Sequence, residues 1–170
     1  MDVTITQAVT ETQLAAVREL IREYTAWAFT LEAGSEKAPT FQGLEAELAT
    51  LPGVYAPPAG RLLLATHEGQ PAGCVCSKHQ DATTCELKRL YVRPTMRGQN
   101  LGQRLVGMLI EEARRSGYQR MVLDSHSSMK KAHEIYRAAG FRDVSAPDGF
   151  PEEMKPVVVF MELDLSAVSA

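Results

Sequence analysis

The stretch Arg93-Pro94-Thr95-Met96-Arg97-Gly98-Gln99-Asn100-Leu101-Gly102 decides the fold. It joins an apolar run ending at Val92 to a helical pattern in which Leu101, Leu105, Met108 or Leu109, and Ala113 share one face. Gly117 ends that helix at a position where left-handed backbone meets no Cβ clash. A helix N-terminus offers unpaired N–H groups and the positive end of the helix dipole, so such a turn can hold a phosphate. Gly98 and Gly102 let a ligand approach the backbone, and Arg97 adds a charge. Spacing alone leaves an ordinary strand–helix turn equally open. There is no Gly-x-x-x-x-Gly-Lys-Ser/Thr, and no Gly-x-Gly-x-x-Gly after an opening strand. Nucleotide P-loops and dinucleotide fingerprints are thereby excluded.

Upstream of this turn, residues 61–67, 72–79 and 84–92 form three strands of a meander, joined at Glu68-Gly69-Gln70-Pro71 and at Gln80-Asp81. A short helix over 41–50 precedes them and stops at Pro52-Gly53. Before it, Thr10-Glu11-Thr12-Gln13 makes a capping box for a helix that carries Leu14, Val17, Ile21 and Tyr24 on one stripe, after a first strand at 3–9. Downstream come a strand at 120–124, a helix at 130–139 ended by Gly140, and two closing strands at 141–144 and 157–165. The order β-α-α-β-β-β-α-β-α-β-β predicts an α/β (α+β) fold with a mixed central sheet of about seven strands flanked by helices. The meander pairs antiparallel, and the strand–helix–strand units of the second half imply parallel pairing there. The segment Val157-Val158-Val159-Phe160-Met161 suits either a sheet edge that pairs with a second copy or a covered inner strand.

The 170 residues fit one domain spanning 1–170, and 45% hydrophobic with 23% charged residues is enough apolar material for a real core. A net charge of −3 gives no reason to expect nucleic acid or an anionic membrane as partner, and mildly favours a cationic substrate. No apolar run approaches the roughly 20 residues of a membrane span. Met1-Asp2-Val3-Thr4-Ile5-Thr6 lacks the basic start of a secretion signal. Three cysteines are an odd number and too few for a disulfide scaffold, so a reducing cytoplasmic compartment is expected. Cys74, Cys76 and Cys85 lack a fourth ligand at metal-binding spacing, and we expect small buried apolar residues rather than a metal site. None of His67, His79, His126 and His133 stands in a spacing that singles it out.

Two elements carry a resemblance. Leu87-Lys88-Arg89-Leu90-Tyr91-Val92-Arg93-Pro94 with Arg97-Gly98-Gln99-Asn100-Leu101-Gly102 resembles the acetyl-CoA signature of the GNAT superfamily of N-acetyltransferases. Ala132-His133-Glu134-Ile135-Tyr136-Arg137-Ala138-Ala139-Gly140-Phe141 is similar to that superfamily's Ala-x-x-x-Tyr-x-x-x-Gly-Phe element. Order and separation match as well. Asn100 stands where the superfamily usually has glycine; Asn tolerates left-handed backbone and is also a good N-cap. Met129 stands near the place where many relatives carry an asparagine.

The resemblance implies acetyl-CoA as co-substrate, no metal, and direct transfer of the acetyl group to a primary amine of a small molecule. It leaves a protein N-terminus or lysine as acceptor, a non-catalytic acyl-CoA sensor and a homodimer open. It implies that the N–H groups of Gln99, Asn100, Leu101, Gly102 and Gln103 hold the pyrophosphate beside Arg97 and Gly98. The main chain of Leu90, Tyr91 and Val92 would take the pantetheine arm. Tyr136 would give a proton to the departing thiolate, though its apolar helix face also suits core packing. Glu86 is the candidate base. Alternation places Glu86, Lys88, Leu90 and Val92 on one face and Leu87, Arg89 and Tyr91 on the other, and Glu86 could instead pair with Lys88 or Arg89. Trp27, Phe29, Tyr55 and Phe150 are expected at the acceptor site, each with core packing as the alternative.

Overall fold

Leu62 and Leu64 pack with one group of buried side chains, and the intervening Leu63 and Ala65 pack with another. The same split separates Cys74 and Cys76 from Val75. Strands apolar on both sides are the mark of a sheet covered on both faces. The computed structural model describes residues 2–31 and 34–166. Its elements are β1 (Val3–Gln7), α1 (Glu11–Leu31), α2 (Leu44–Ala49), β2 (Arg61–His67), β3 (Gln70–His79), β4 (Thr84–Val92), α3 (Leu101–Arg115), β5 (Arg120–His126), α4 (Lys130–Ala138), β6 (Arg142–Val144) and β7 (Val158–Asp164).

The seven strands lie in the order β1-β2-β3-β4-β5-β7-β6. Val17, Leu20 and Ile21 of α1 and Leu48 of α2 cover one face with Leu62, Leu64 and Tyr91. Leu105, Leu109 and Ala113 of α3 and Tyr136 of α4 cover the other with Leu63, Leu87 and Met121. The capping box forms as expected. Thr10 Oγ1 accepts from Gln13 N at 3.2 Å, and Gln13 Oε1 accepts from Thr10 N at 3.0 Å. After α3, Gly117 takes φ 87° and its N–H bonds Arg114 O, which lets the chain turn into β5.

Three expectations need correction. The second half holds one parallel ladder, β4 with β5, because β7 enters between β5 and β6 and runs antiparallel to both. The segment from Val158 is therefore an inner strand. Helix α2 is shorter than 41–50, since residues 39–41 form a separate tight turn begun by Pro39. The alternation of β4 also breaks. Cys76 pairs with Lys88 but Cys74 with Tyr91, so one extra residue bulges between them, and Arg89 takes φ 61°. Beyond the bulge the faces exchange. Cys85, Leu87, Leu90 and Val92 all pack on the α3 side, while Tyr91 joins the α1 side.

Candidate active site

The bulge is held from the α1 side. The Arg89 side chain is 1% exposed, and its guanidinium grips Glu47 through Nε at 3.0 Å and Nη2 at 3.2 Å, with Nη2 also donating to Thr40 O at 2.7 Å. Burial pushes the Glu47 carboxyl up, but the hydrogen bonds and charge of Arg89 outweigh it and hold the group below the ordinary range. Arg93 ties the end of β4 to α1, pairing with Glu19 and, at 2.7 Å, with Glu23.

On its other edge β4 pairs with β5 only through Thr84, Cys85 and Glu86, which meet Arg120, Met121 and Val122. Past that point the strands part, and two cavities occupy the opening. The larger measures about 670 Å³. Its strand side and turn are lined by residues 90–92, Met96 and all of 97–103 except Gln99. Opposite stand Ile135 and Ala138 of α4, with Lys130 and Lys131.

Asn100 is the residue before α3, with φ 60° and ψ 20°, and its side chain makes no capping bond. The first main-chain bond of the helix runs from Arg104 N to Asn100 O, so the N–H groups of Leu101, Gly102 and Gln103 precede it. Asparagine thus keeps the left-handed turn without shielding those donors. A Cβ on Gly102 would stand 2.7 Å from Ile135 Cδ1, so α3 and α4 approach closely here because residue 102 has no side chain. An uncapped helix start, a turn without bulk, Arg97 and an opened strand edge fit a ligand with phosphates and an extended arm.

The smaller cavity, about 50 Å³, shares Tyr24, Leu90, Met129 and Ala132 with the larger. Tyr136 lines it and is only 5% exposed. Burial drives the Tyr136 phenol far above its ordinary range, with Tyr24 and the Asp124 charge adding to the effect. Tyr24 is pushed up to about 12 by burial, against the pull of Arg89, and its hydroxyl faces Met129 Sδ at 3.6 Å. Met129 therefore occupies the junction of the two cavities.

The remaining expected residues separate. Glu86 lines neither cavity and pairs with Lys78 at 3.8 Å. Trp27 lines the larger cavity, where Arg97 lies 5.4 Å above its ring. Phe29 packs edge-on against Phe41 at 5.1 Å, Phe150 against Phe160 at 4.8 Å, and Tyr55 is fully buried beneath α2. None of these three lines either cavity.

Sequence reasoning did not single out Lys88 and Asp124, which both line the smaller cavity. Both lie on strands at the opening, but that opening is a property of the pairing and not of any motif. His133 is buried against Ser125 Oγ at 3.0 Å, and His126 Nδ1 meets Ser128 Oγ at 2.6 Å. The three cysteines are buried and unpaired, with burial pushing the Cys74 and Cys85 thiols up to about 12. Such thiols are poor nucleophiles. Among the described residues no cluster of His, Cys, Asp or Glu could hold a metal ion, and no helix is long and apolar enough to cross a membrane.

The model of the Acetyltransferase (GNAT) family matches residues 15–141. An uncharacterised N-acetyltransferase of Schizosaccharomyces pombe is 38% identical over 129 residues, covering 75% of this chain and 77% of that protein. An IAA acetyltransferase of Azospirillum brasilense is 33% identical over 111 residues, covering 65% of this chain and 71% of its own. The structure of an N-acetyltransferase of Thermoplasma acidophilum in complex with coenzyme A superposes with TM-score 0.72 over 96% of this chain and 99% of that one; at 18% identity this likeness concerns the fold.

Proposed function

The chain belongs to the GNAT acetyltransferase family, and from that premise we propose that it is a single 1–170 domain that transfers the acetyl group of acetyl-CoA to the primary amine of a small molecule. One observation carries the proposal: the β4–β5 opening joins the glycine turn of α3 to a small cavity lined by Tyr136. Its small volume, about 50 Å³, supports a small acceptor over a protein segment, which would need an open groove. Three unpaired thiols support a reducing, cytoplasmic setting.

When bound, acetyl-CoA supplies a thioester as acyl donor. The N–H groups of Leu101, Gly102 and Gln103 with Arg97 would hold its phosphates, and the free edge of β4 its arm. Leu90, just past the bulge, lines both cavities, and a main-chain N–H there would stabilise developing negative charge on the carbonyl oxygen. Asp124, in place of Glu86, is the carboxylate lining the acceptor cavity, and it would take a proton from the substrate ammonium. The freed nitrogen then bonds the carbonyl carbon as the carbon–sulfur bond breaks. Tyr136 gives its proton to the leaving sulfur and regains one from the acylated nitrogen. One proton leaves to solvent overall.

Titration calorimetry with acetyl-CoA, beside ATP as control, tests the first half. Micromolar binding that weakens at least tenfold in Arg97→Glu and in Gly102→Glu, both checked for unchanged melting, is the expected result. No binding by the folded protein would reduce the glycine turn to a turn and remove the acetyltransferase reading with it.

A further inference from the structure

Two charges of opposite sign face each other in the acceptor cavity without meeting. The β4–β5 ladder places Glu86 opposite Val122, so two residues on, Lys88 and Asp124 occupy equivalent positions on the same face, just past the point where the strands part. Both line the small cavity and both are half-buried. Their neighbours are already engaged. Arg89 is bound by Glu47 and Thr40 O, and Glu86 by Lys78. Lys88 and Asp124 themselves form no hydrogen bond or ion pair within 4 Å among the described residues. Half-buried charges with no close partner are costly, and the cost is relieved by a ligand that carries the complementary charges.

We propose that the acceptor is a compact amino carboxylate, its ammonium bound by Asp124 and its carboxylate by Lys88. This rests on the acetyltransferase reading above and narrows it from amines in general to zwitterions. The orientation follows from the surroundings of Asp124, whose charge acts on both Tyr24 and Tyr136, so the nitrogen end lies at the proton donor. Lys88, on the opposite strand, takes the other end. Burial and the Arg89 charge weaken the hold of Lys88 on its proton, against the pull of Glu86 and Asp124, and a bound carboxylate would restore it. The cavity, at about 50 Å³, and its wall of Tyr24 and Phe41 favour a short side chain.

The test is thiol release from acetyl-CoA with a panel of α- and β-amino acids, their methyl esters and the corresponding decarboxylated amines. We expect compact amino acids to be acetylated with kcat/KM at least tenfold above their esters. In Lys88→Met the amino-acid value should fall roughly 10- to 100-fold, as loss of a charge-assisted hydrogen bond of about 1.5–3 kcal/mol implies. The ratio of the amino-acid to the ester value should fall towards one, and Lys88→Arg should recover part of the loss. Amines or esters used as well as amino acids, or an acid-to-ester ratio unmoved in Lys88→Met, would overturn the zwitterion proposal and leave the acetyltransferase standing. Acetyl-CoA binding without turnover of any panel amine would overturn both.

Discussion

The two edges of β4 use the same nine residues to opposite ends. Towards β3 the strand is paired from Cys85 to Val92, and its single irregularity, the bulge, is clamped by Arg89, Glu47 and Thr40 O. Towards β5 it pairs through Thr84, Cys85 and Glu86 and then departs, and both cavities lie in the departure. The difference teaches that the opening is made by ending one ladder while the opposite ladder absorbs the distortion. A buried ion pair holds the bulged residue on the closed edge.

The largest expected effect falls on the closed edge. Arg89→Met leaves the Glu47 carboxylate without its partner, and losing one member of a buried pair costs about 3–5 kcal/mol. In a protein of this length the melting temperature should drop by on the order of 10 °C, measured calorimetrically. An unchanged melting point would mean that the bulge stands without its clamp, and the contrast between the edges would lose its cause. Next comes the open edge. Tyr136→Phe should lower kcat about 100-fold, or about 2.7 kcal/mol of barrier, while acetyl-CoA affinity and melting stay put. Equal turnover in the variant would leave the open edge as a binding surface only.

The smallest effect is on pH dependence. Glu47 is held below its ordinary value of 4.5 in the folded protein, so the unfolded chain binds more protons there. The stabilisation is present above about pH 4.5 and is lost as pH falls through the lower folded value. Denaturant titrations from pH 6 to pH 3 should therefore show Glu47→Gln less stable at pH 6 and flatter below pH 4.5. A curve parallel to wild type would place the acid sensitivity in other carboxylates.

What could be read in the sequence was whatever local spacing encodes. The capping box at Thr10, the glycine turn at 98–102, the helix stripe from Leu101 to Ala113 and the Tyr136 element each depend on residues within one or two turns of each other. The insertion of β7 between β5 and β6 did not show, because it depends on long-range pairing. Nor did the bulge at Arg89, since strict alternation is the only pattern a strand displays without its neighbour. The residues proposed for the acceptor were hidden for the same reason. Large aromatics such as Tyr55, Phe29 and Phe150 drew notice by size and went to the packing, whereas Lys88 and Asp124 acquire meaning only when β4 and β5 are set side by side.

The short β4–β5 seam makes the sheet two plates, β1 to β4 and β5 to β7, held together along one edge by three residue pairs and otherwise by the helices. A molecule lying along the open part of that seam touches both plates at once and has no counterpart surface in the unfolded chain. By mass action it stabilises the fold, by about 2.7 kcal/mol when present at 100 times its dissociation constant. An acyl donor seated there would thus act as a rivet, and the stability of the fold would rise with its supply.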